Sequence, residues 1–415
     1  MNNETPEQVE VELSSWIEEN WDQDLTVAEW WQTLADARYS HTMLPKTAGG
    51  REWGRDLNQV VLRTMADKNV LGPPTGLGMM LAAPTIAAHG TDEQIARFVP
   101  PILNGQQAWC QLFSEPGAGS DLAGLQCKAQ KDGDVWIING QKVWTSGGQV
   151  ADVGMLIART DPELPKHQGI SYFAFEMKQN GVDVRPLKEM TGRALFNEVF
   201  FTDAQVPDDS IIGGRSNGWR VANSTLMFER SHLGSGSVPV ATALAGTIAG
   251  QLSMKVGDIM RRQVRGQGGL VIGPRLFDRL LELAQKLGRE KDPVLREELM
   301  KLYSLVEVNR LNMLRVKSGQ GRTGAEGNIG KLMMSELYRQ FREVGVMAIG
   351  ADGMLQGVET GDNAWIHEVT VFSPAPAIYG GTDQVQRNII GERVLGLPKE
   401  PGHPKETPFI DLLKN

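Results

Sequence analysis

Three short segments hold the residue types that chemistry on a flat or phosphorylated ligand would use. Residues 111–125, QLFSEPGAGSDLAGL, follow an apolar strand-like run and set Ser114 and Ser120 on either side of Pro116-Gly117-Ala118-Gly119. Small residues let a backbone approach a ring or a pyrophosphate closely, and the N–H groups of a turn can take an anion. A plain tight loop has the same composition. Residues 143–148, VWTSGG, offer the broad face of Trp144 with the hydroxyls and N–H groups of Thr145 and Ser146. A core tryptophan at a strand end reads alike. Residues 378–387, IYGGTDQVQR, place Tyr379, Gly380, Gly381, Thr382 and Gln384 ahead of a helical run. A helix N-terminus there presents N–H groups to a phosphate or a developing oxyanion, although a bland capped helix looks similar.

Other familiar chemistries lack their residues. The sequence contains no HExxH, CxxC pair or GxxxxGK[ST] pattern. Its six histidines, His41, His89, His167, His232, His367 and His403, are scattered. Cys110 and Cys127 are too few for a disulfide scaffold or a four-thiolate zinc site, and they suit an intracellular protein. Forty-two Lys and Arg against 50 Asp and Glu give a net charge of -8, the wrong sign for a general nucleic-acid binder. The start of the chain is acidic and Trp-bearing, unlike a secretory leader. The most apolar later stretch, 238–250, is far shorter than the roughly 20 residues a spanning helix needs. The expectation is a cytoplasmic protein with no membrane insertion and no nucleic-acid partner.

The elements that must position these segments fall into three zones. With 415 residues and 41% hydrophobic content the chain has material for two or three domains. Residues 1–108 read as an α-helical domain. Val9, Leu13, Trp16 and Ile17 recur at helical spacing, as do Val27, Trp30, Trp31 and Leu34. Thr91 and Gln94 form a capping box, and the pairs Pro73-Pro74 and Pro100-Pro101 read as punctuation. Residues 109–212 read as a β domain. Its clearest feature is a hairpin over 134–146 with a type I′ turn at Asn139-Gly140, followed by strands over 153–158, 170–176 and 198–202. Residues 213–415 read as a helical bundle, strongest over 276–287, 294–315 and 331–347. The bundle carries a Gly-rich basic stretch, about 234–273, with Arg261, Arg262 and Arg265. That stretch reads as a surface insertion, or else as a contact for phosphates or a partner chain. Helices, strands and helices in blocks define an α+β fold and argue against alternating βα units.

The segments EPGAGSD, KVWTSGG and IYGGTDQVQR, in this order and spacing, resemble the acyl-CoA dehydrogenase family over about residues 24–398. Asn197–Phe200 (NEVF), Val206-Pro207 and Gly218-Trp219 add to the resemblance. It implies a helical N-terminal domain, a middle β-barrel or sandwich-like domain and a C-terminal four-helix bundle. It also implies FAD-dependent α,β-dehydrogenation of an acyl-CoA thioester, with electrons passed to electron-transferring flavoprotein. A homo- or heterotetramer, a dimer of dimers, is implied as well.

The resemblance carries over residue by residue. Phe113, Ser114, Gly119 and Ser120 match the loop along the flavin and its pyrophosphate; Trp144, Thr145 and Ser146 match the residues packing the isoalloxazine. Thr382 and Gln384 match cofactor contacts near the last helix, and Ser120, Arg230 and Gly381 fall on the substrate side. Most members carry a catalytic Glu directly after the Tyr of the last motif, where this chain has Gly380. Glycine cannot take a proton, but its N–H can still serve the oxyanion. A branch resembling isovaleryl- and long-chain acyl-CoA dehydrogenases bears its Glu on an earlier helix, immediately before an Arg. The matching segment LMFERSH makes Glu229 the base. Arg289 matches the Arg that reaches a neighbouring subunit's FAD, yet the Phe-Gly that follows in the family is lost. Met347 and Ala351 likewise stand where the family has Gln and Gly. The expected substrate is a branched, long or bulky acyl-CoA. The alternatives are a non-catalytic partner subunit of a heteromer, as in relatives acting on bulky steroid or branched acyl-CoAs, and an oxidase or flavin monooxygenase on the same fold.

Overall fold

The computed structural model describes all residues except 1–3, 234–239, 264–271, 319–322, 356–362, 400, 403 and 413–415. The first helices begin at capping boxes. Thr5 and Gln8 cap α1 (Pro6–Asn20), Thr26 and Glu29 cap α2 (Val27–Asp36), and Thr91 and Gln94 cap α5 (Asp92–Leu103) as the spacing predicts. Between them lie α3 (Arg55–Asp67) and a π-helical turn, Gly78–Ala82, that runs into α4 (Ala83–His89). Leu13, Trp30, Trp31 and Leu34 are fully buried. The two indoles satisfy their N–H groups on the carbonyls of Leu71 and Gly72, at 2.6 and 2.9 Å. Helix α5 passes through Pro100-Pro101 rather than stopping before it. The pair sits in its last turn, so two N–H donors are lost and the helix ends at Leu103.

Seven strands follow: β1 (Trp109–Leu112), β2 (Lys128–Asp132), β3 (Val135–Ser146), β4 (Val153–Arg159), β5 (Ile170–Glu176), β6 (Val182–Leu187) and β7 (Phe196–Pro207). They form one sheet in the order β1-β4-β2-β3-β7-β6, with β5 also paired to β4. Strand β4 is buried at every position because it is covered twice. Leu156 joins the β-domain core of Trp136, Phe173, Phe175 and Val199, while Met155 and Ile157 pack into a cluster shared with α4, α5 and the next helix. The Pro in β6 is tolerated because that strand is an edge.

The hairpin does not turn at Asn139-Gly140, as its sequence suggests. The turn lies at Gly133 (φ 59), between β2 and β3, and β3 runs unbroken through Asn139-Gly140. Pairing of β3 with β2 reaches only as far as Asn139, and its pairing with β7 slips between Ile138 and Gly140. The dipeptide therefore makes a bulge. A Cβ at Gly140 (φ 148) would stand 2.8 Å from the Cα of Cys127, so the close approach itself requires glycine.

The chain then turns helical: α6 (Gly218–Leu233), α7 (Val256–Gln263), α8 (Pro274–Lys286), α9 (Pro293–Ser318), α10 (Glu326–Ile349), α11 (Ala364–Phe372) and α12 (Asp383–Arg393). Leu280, Leu299, Leu302, Phe341, Val344 and Ile366 form the core of α8–α11. The described part of the Gly-rich stretch is no surface insertion. Ala243, Val256 and Ile259 are buried in the cluster of α1–α3, and its backbone bonds theirs, Gly72 N to Ala241 O and Val27 N to Met254 O. Small apolar residues, unreadable as helix or strand, wrap a helical domain formed far earlier in the chain. Arg261 pairs with Asp258 on α7, and Arg265 lies outside the described residues.

Gly140→Val should lower stability by roughly 1–3 kcal/mol, read from a denaturant midpoint. Gly133→Asn should cost far less, because nothing stands within 4 Å of its Cβ and Asn tolerates that backbone region.

Candidate active site

The EPGAGSD segment is a closed turn. Glu115 N bonds Ala118 O at 3.1 Å, and Ala118 N bonds Glu115 O at 3.0 Å. Among the described residues the N–H groups of Gly119 and Ser120 have no protein acceptor, and both residues are exposed. The carboxylate of Glu115 faces inward. It accepts from Gln126 N at 2.7 Å and Cys127 N at 2.9 Å, and it meets Lys142 Nζ at 2.8 Å. Lys142, 0% exposed, also donates to Phe113 O at 2.9 Å, and Val143 N bonds Ser114 O at 2.9 Å. Sequence reading passed over this pair. Its signal was the alternation of β3, where Trp136, Ile138 and Lys142 share the inward parity. Phe113, expected along the cofactor, buries its ring edge-on against Tyr172, 6.0 Å between centroids.

Continued alternation would bury Trp144 as well. Instead the pairing of β3 with β7 slips again between Lys142 and Thr145, and Trp144 adopts φ 61. A non-glycine residue in that region costs about 1–2 kcal/mol. The consequence is an indole 60% exposed, braced edge-on by Phe196 at 5.9 Å. Ser146 faces out beside it. Thr145, expected to pack the same ring, turns into the core, with its carbonyl accepting from Asn197 Nδ2 at 3.0 Å.

The IYGGTDQVQR segment is held from behind by α10 and α12. Gln386, fully buried, donates Nε2 to Gly380 O at 2.8 Å and Gly381 O at 3.3 Å, while its Oε1 accepts from Asn328 at 2.6 Å. Gly380 (φ 64) and Gly381 (φ 84) are both left-handed. Their carbonyls are thus pinned to protein, and among the described residues their N–H groups have no acceptor. Thr382 caps α12 on Val385 N at 3.2 Å, and Gln384 is exposed. The adjoining Asp383 is buried with Lys331 at 3.2 Å and Arg339 at 3.1 Å. Burial alone would raise its carboxyl pKa, but hydrogen bonds from Ser335, Arg339 and Lys331 outweigh that and hold it below the usual range. Asn328, Lys331, Asp383 and Gln386 were missed: Asp383 and Gln386 lie inside the IYGGTDQVQR segment, which could have drawn attention to them, whereas Asn328 and Lys331 stand on α10 with no local signal.

Helix α6, which carries Glu229, packs against α10, the helix that holds this loop. Burial pushes the Tyr379 phenol well above its ordinary pKa, and the charges of Tyr338 and Glu229 add to the shift. The carboxylate of Glu229 therefore lies within electrostatic reach of the residue preceding Gly380, although 150 positions separate them. The Arg230 side chain lies outside the described residues. Another face of α6 lines a cavity of about 580 Å³, with Trp219, Arg220, Asn223, Ser224 and Met227 opposite His167 and Gln168. Arg289 is elsewhere, donating to Met347 O at 2.8 Å and so capping α10 within its own chain. Among the described residues no helix is long and apolar enough to cross a membrane, and no group of His, Cys, Asp and Glu is arranged to hold a metal.

Helical, β and helical blocks around these three segments are what the family models describe. Residues 3–106 match the acyl-CoA dehydrogenase N-terminal domain, 110–204 the middle domain and 260–395 the C-terminal domain. The chain belongs to the acyl-CoA dehydrogenase family, whose members catalyse FAD-dependent dehydrogenation. Among curated relatives, acyl-CoA dehydrogenase IpdE1 of Mycobacterium tuberculosis is 34% identical over 372 residues, 89% of this chain and 88% of that protein. Acyl-CoA dehydrogenase FadE34 of the same organism is 37% identical over 77% of this chain and 39% of its own length. The solved structure titled Tcur3481-Tcur3483 steroid ACAD shares the fold, with TM-score 0.70 and 23% identity over 96% of this chain and 100% of that one.

The residues present fit a flavin. An aromatic face forced outward at Trp144, N–H groups without acceptors at Gly119 and Ser120, and exposed hydroxyls at Ser120 and Ser146 suit a flat ring with a pyrophosphate tail. Lys142→Met would leave the Glu115 carboxylate buried and unpaired, which costs about 3–5 kcal/mol. The double variant Lys142→Met with Glu115→Gln should recover part of that loss in a denaturation cycle.

Proposed function

We propose that the chain oxidises a branched, long or otherwise bulky acyl-CoA to its α,β-unsaturated thioester, with Glu229 as the base. The observation that carries this reading is the pair of left-handed glycines whose N–H groups have no acceptor among the described residues, in a loop held by α10, the helix that also packs against α6 and its Glu229. The α-proton of a thioester is a weak acid, so its removal needs both a carboxylate and donors at the oxygen that gains charge. Glu229 receives the proton. The Gly380 N–H, held outward by the Gln386 clamp on the carbonyl side, meets the enolate oxygen, with Gly381 beside it. Neither glycine intrudes on the acyl group, which supports a bulky substrate.

FAD, when bound, supplies the acceptor for the β-hydride. Ser114, Gly119, Ser120, Trp144, Ser146, Thr382 and Gln384 would hold it, and electron-transferring flavoprotein would receive the electrons. The cavity beside α6 takes the nucleotide and pantetheine of CoA. Arg220 serves its phosphates, Trp219 its ring, and Gln168, Asn223 and Ser224 its amides. The enzyme works in the cytoplasm as a homo- or heterotetramer. One observation favours the heteromeric form: Arg289 is spent on α10 within its own chain, which leaves the adenosine half of FAD to another subunit.

The first test is the absorbance of the protein purified alone, before and after anaerobic addition of acyl-CoAs. A flavin band that bleaches with a bulky ester supports the reading, and faster bleaching with butyryl-CoA overturns the substrate class. A colourless protein that gains flavin only with a co-purified chain selects the heteromer. Rapid reoxidation in air with stoichiometric peroxide selects an oxidase instead. Glu229→Gln should reduce turnover by about 10²–10⁴-fold while flavin content stays unchanged. Near-normal turnover would sink the assignment.

A further inference from the structure

The wall of the cavity opposite α6 is the loop at residues 161–169, and residues 404–412 fasten it from outside. Phe409 N donates to Leu164 O at 2.9 Å and Ile410 N to Pro162 O at 3.0 Å, while Pro165 and Pro408 form an antiparallel bridge. The buried Phe409 ring lies under the Arg159 guanidinium, 3.7 Å from centroid to Cζ. Arg159 is itself buried and, among the described residues, has no carboxylate hydrogen-bonded to it. Its Nη1 donates to Lys166 O at 2.6 Å, and its Nη2 donates to Ala123 O at 2.6 Å and Leu125 O at 3.3 Å. One set of acceptors belongs to the cavity loop, and the other to the turn that follows Gly119 and Ser120.

A buried cation with no carboxylate hydrogen-bonded to it is costly unless something else offsets its charge. Here an aromatic face and three carbonyls do so, with Glu115 and Asp121 acting on it through space, and each direct partner thereby loses freedom to move. The same loop reaches the cavity from inside. Lys166 Nζ bonds Asp121 at 2.8 Å, Asp161 accepts from Arg215 and from the Ser216 hydroxyl, and His167 meets Trp219 edge-on at 5.0 Å. His167, Gln168 and Ser216 all line the cavity.

We propose that Phe409, acting through Arg159, is a positioning residue for the CoA moiety, setting where His167 and Gln168 stand in the cavity wall. This rests on the reading of the cavity as the CoA site. Removing the ring loosens the loop and weakens CoA binding, without touching Glu229, the Gly380 N–H or the loop face at Trp144.

The test compares Phe409→Leu, Phe409→Ala and Phe409→Tyr with the unaltered full-length protein. Coenzyme A binding is measured by calorimetry, turnover at saturating and limiting acyl-CoA, and trypsin nicking after Lys166. The Leu and Ala variants should raise the Kd for coenzyme A and the KM about fivefold, as loss of a buried cation–π contact implies. Their kcat and flavin content should stay within about twofold, Lys166 should be nicked sooner, and Tyr should restore all three readouts. Phe409→Leu keeps an apolar side chain in place, so it serves where the Ala variant does not fold. Faster nicking with unchanged coenzyme A affinity overturns the proposal, as does a fall in kcat at constant KM. Unaltered protein that binds no coenzyme A instead overturns the reading of the cavity.

Discussion

The ion pair of Glu115 and Lys142 is the constraint on which the β side of the site depends. Two charges removed from water are tolerated only when the rest of their hydrogen-bonding capacity is met. Glu115 meets it with two backbone N–H groups as well as the ammonium, and Lys142 with the Phe113 carbonyl. Such a pair adds little to net stability compared with an apolar core. It does exclude other arrangements, because any slip of β3 against the EPGAGSD turn would strand a buried charge. The open N–H groups at Gly119 and Ser120 and the outward face of Trp144 are therefore fixed relative to each other by a contact that touches no ligand.

The helical side uses the same device with different residues. Asp383 is held by Lys331 and Arg339, and Gln386 by Asn328, so that α10 dictates where α12 begins. The clamp acts on carbonyl oxygens at Gly380 and Gly381, which is why the N–H groups remain available. Both walls follow one logic: polar groups spent inward free a backbone donor or an aromatic face outward. Helix α6 packs against both sides, with Val221, Ala222 and Thr225 buried and the charge of Glu229 felt at Tyr379, in the loop before α12.

What the sequence made legible follows from locality. The capping box at Thr91 and the apolar stripes of α1 and α2 are written within a few residues, and the structure has helices there. The three ligand-type segments were likewise local. The turn at Asn139-Gly140 was misread because a bulge and a type I′ turn call for the same positive-φ glycine, and only the approach of Cys127 tells them apart. The stretch from Val240 onward was misread because its small apolar residues have no period of their own and bury against α1–α3 from far away in sequence. Lys142, Asp383 and Gln386 were missed for a related reason. Single polar residues look solvent-facing until the partner that neutralises them is known, and each partner lies 27 to 58 positions distant.

A glycine at 380 and a glutamate at 229 are more than compatible; each favours the other. Residue 380 sits at φ 64, where a side chain costs about 1–2 kcal/mol, so glycine relieves strain that a carboxylate there would have to bear. Glu229 already places negative charge near Tyr379. A second carboxylate at 380 would add a like charge beside the same tyrosine, which disfavours the ionised form of both. In the proposed mechanism, a carboxylate on α6 separates two duties that a single loop residue would otherwise share. The loop would keep the oxyanion donor, which must be rigid, and the helix would carry the group that accepts a proton. With the Gln386 clamp fixing that donor independently, the position of such a base could follow the acyl group instead of the loop, and room beside the two glycines would be the steric consequence.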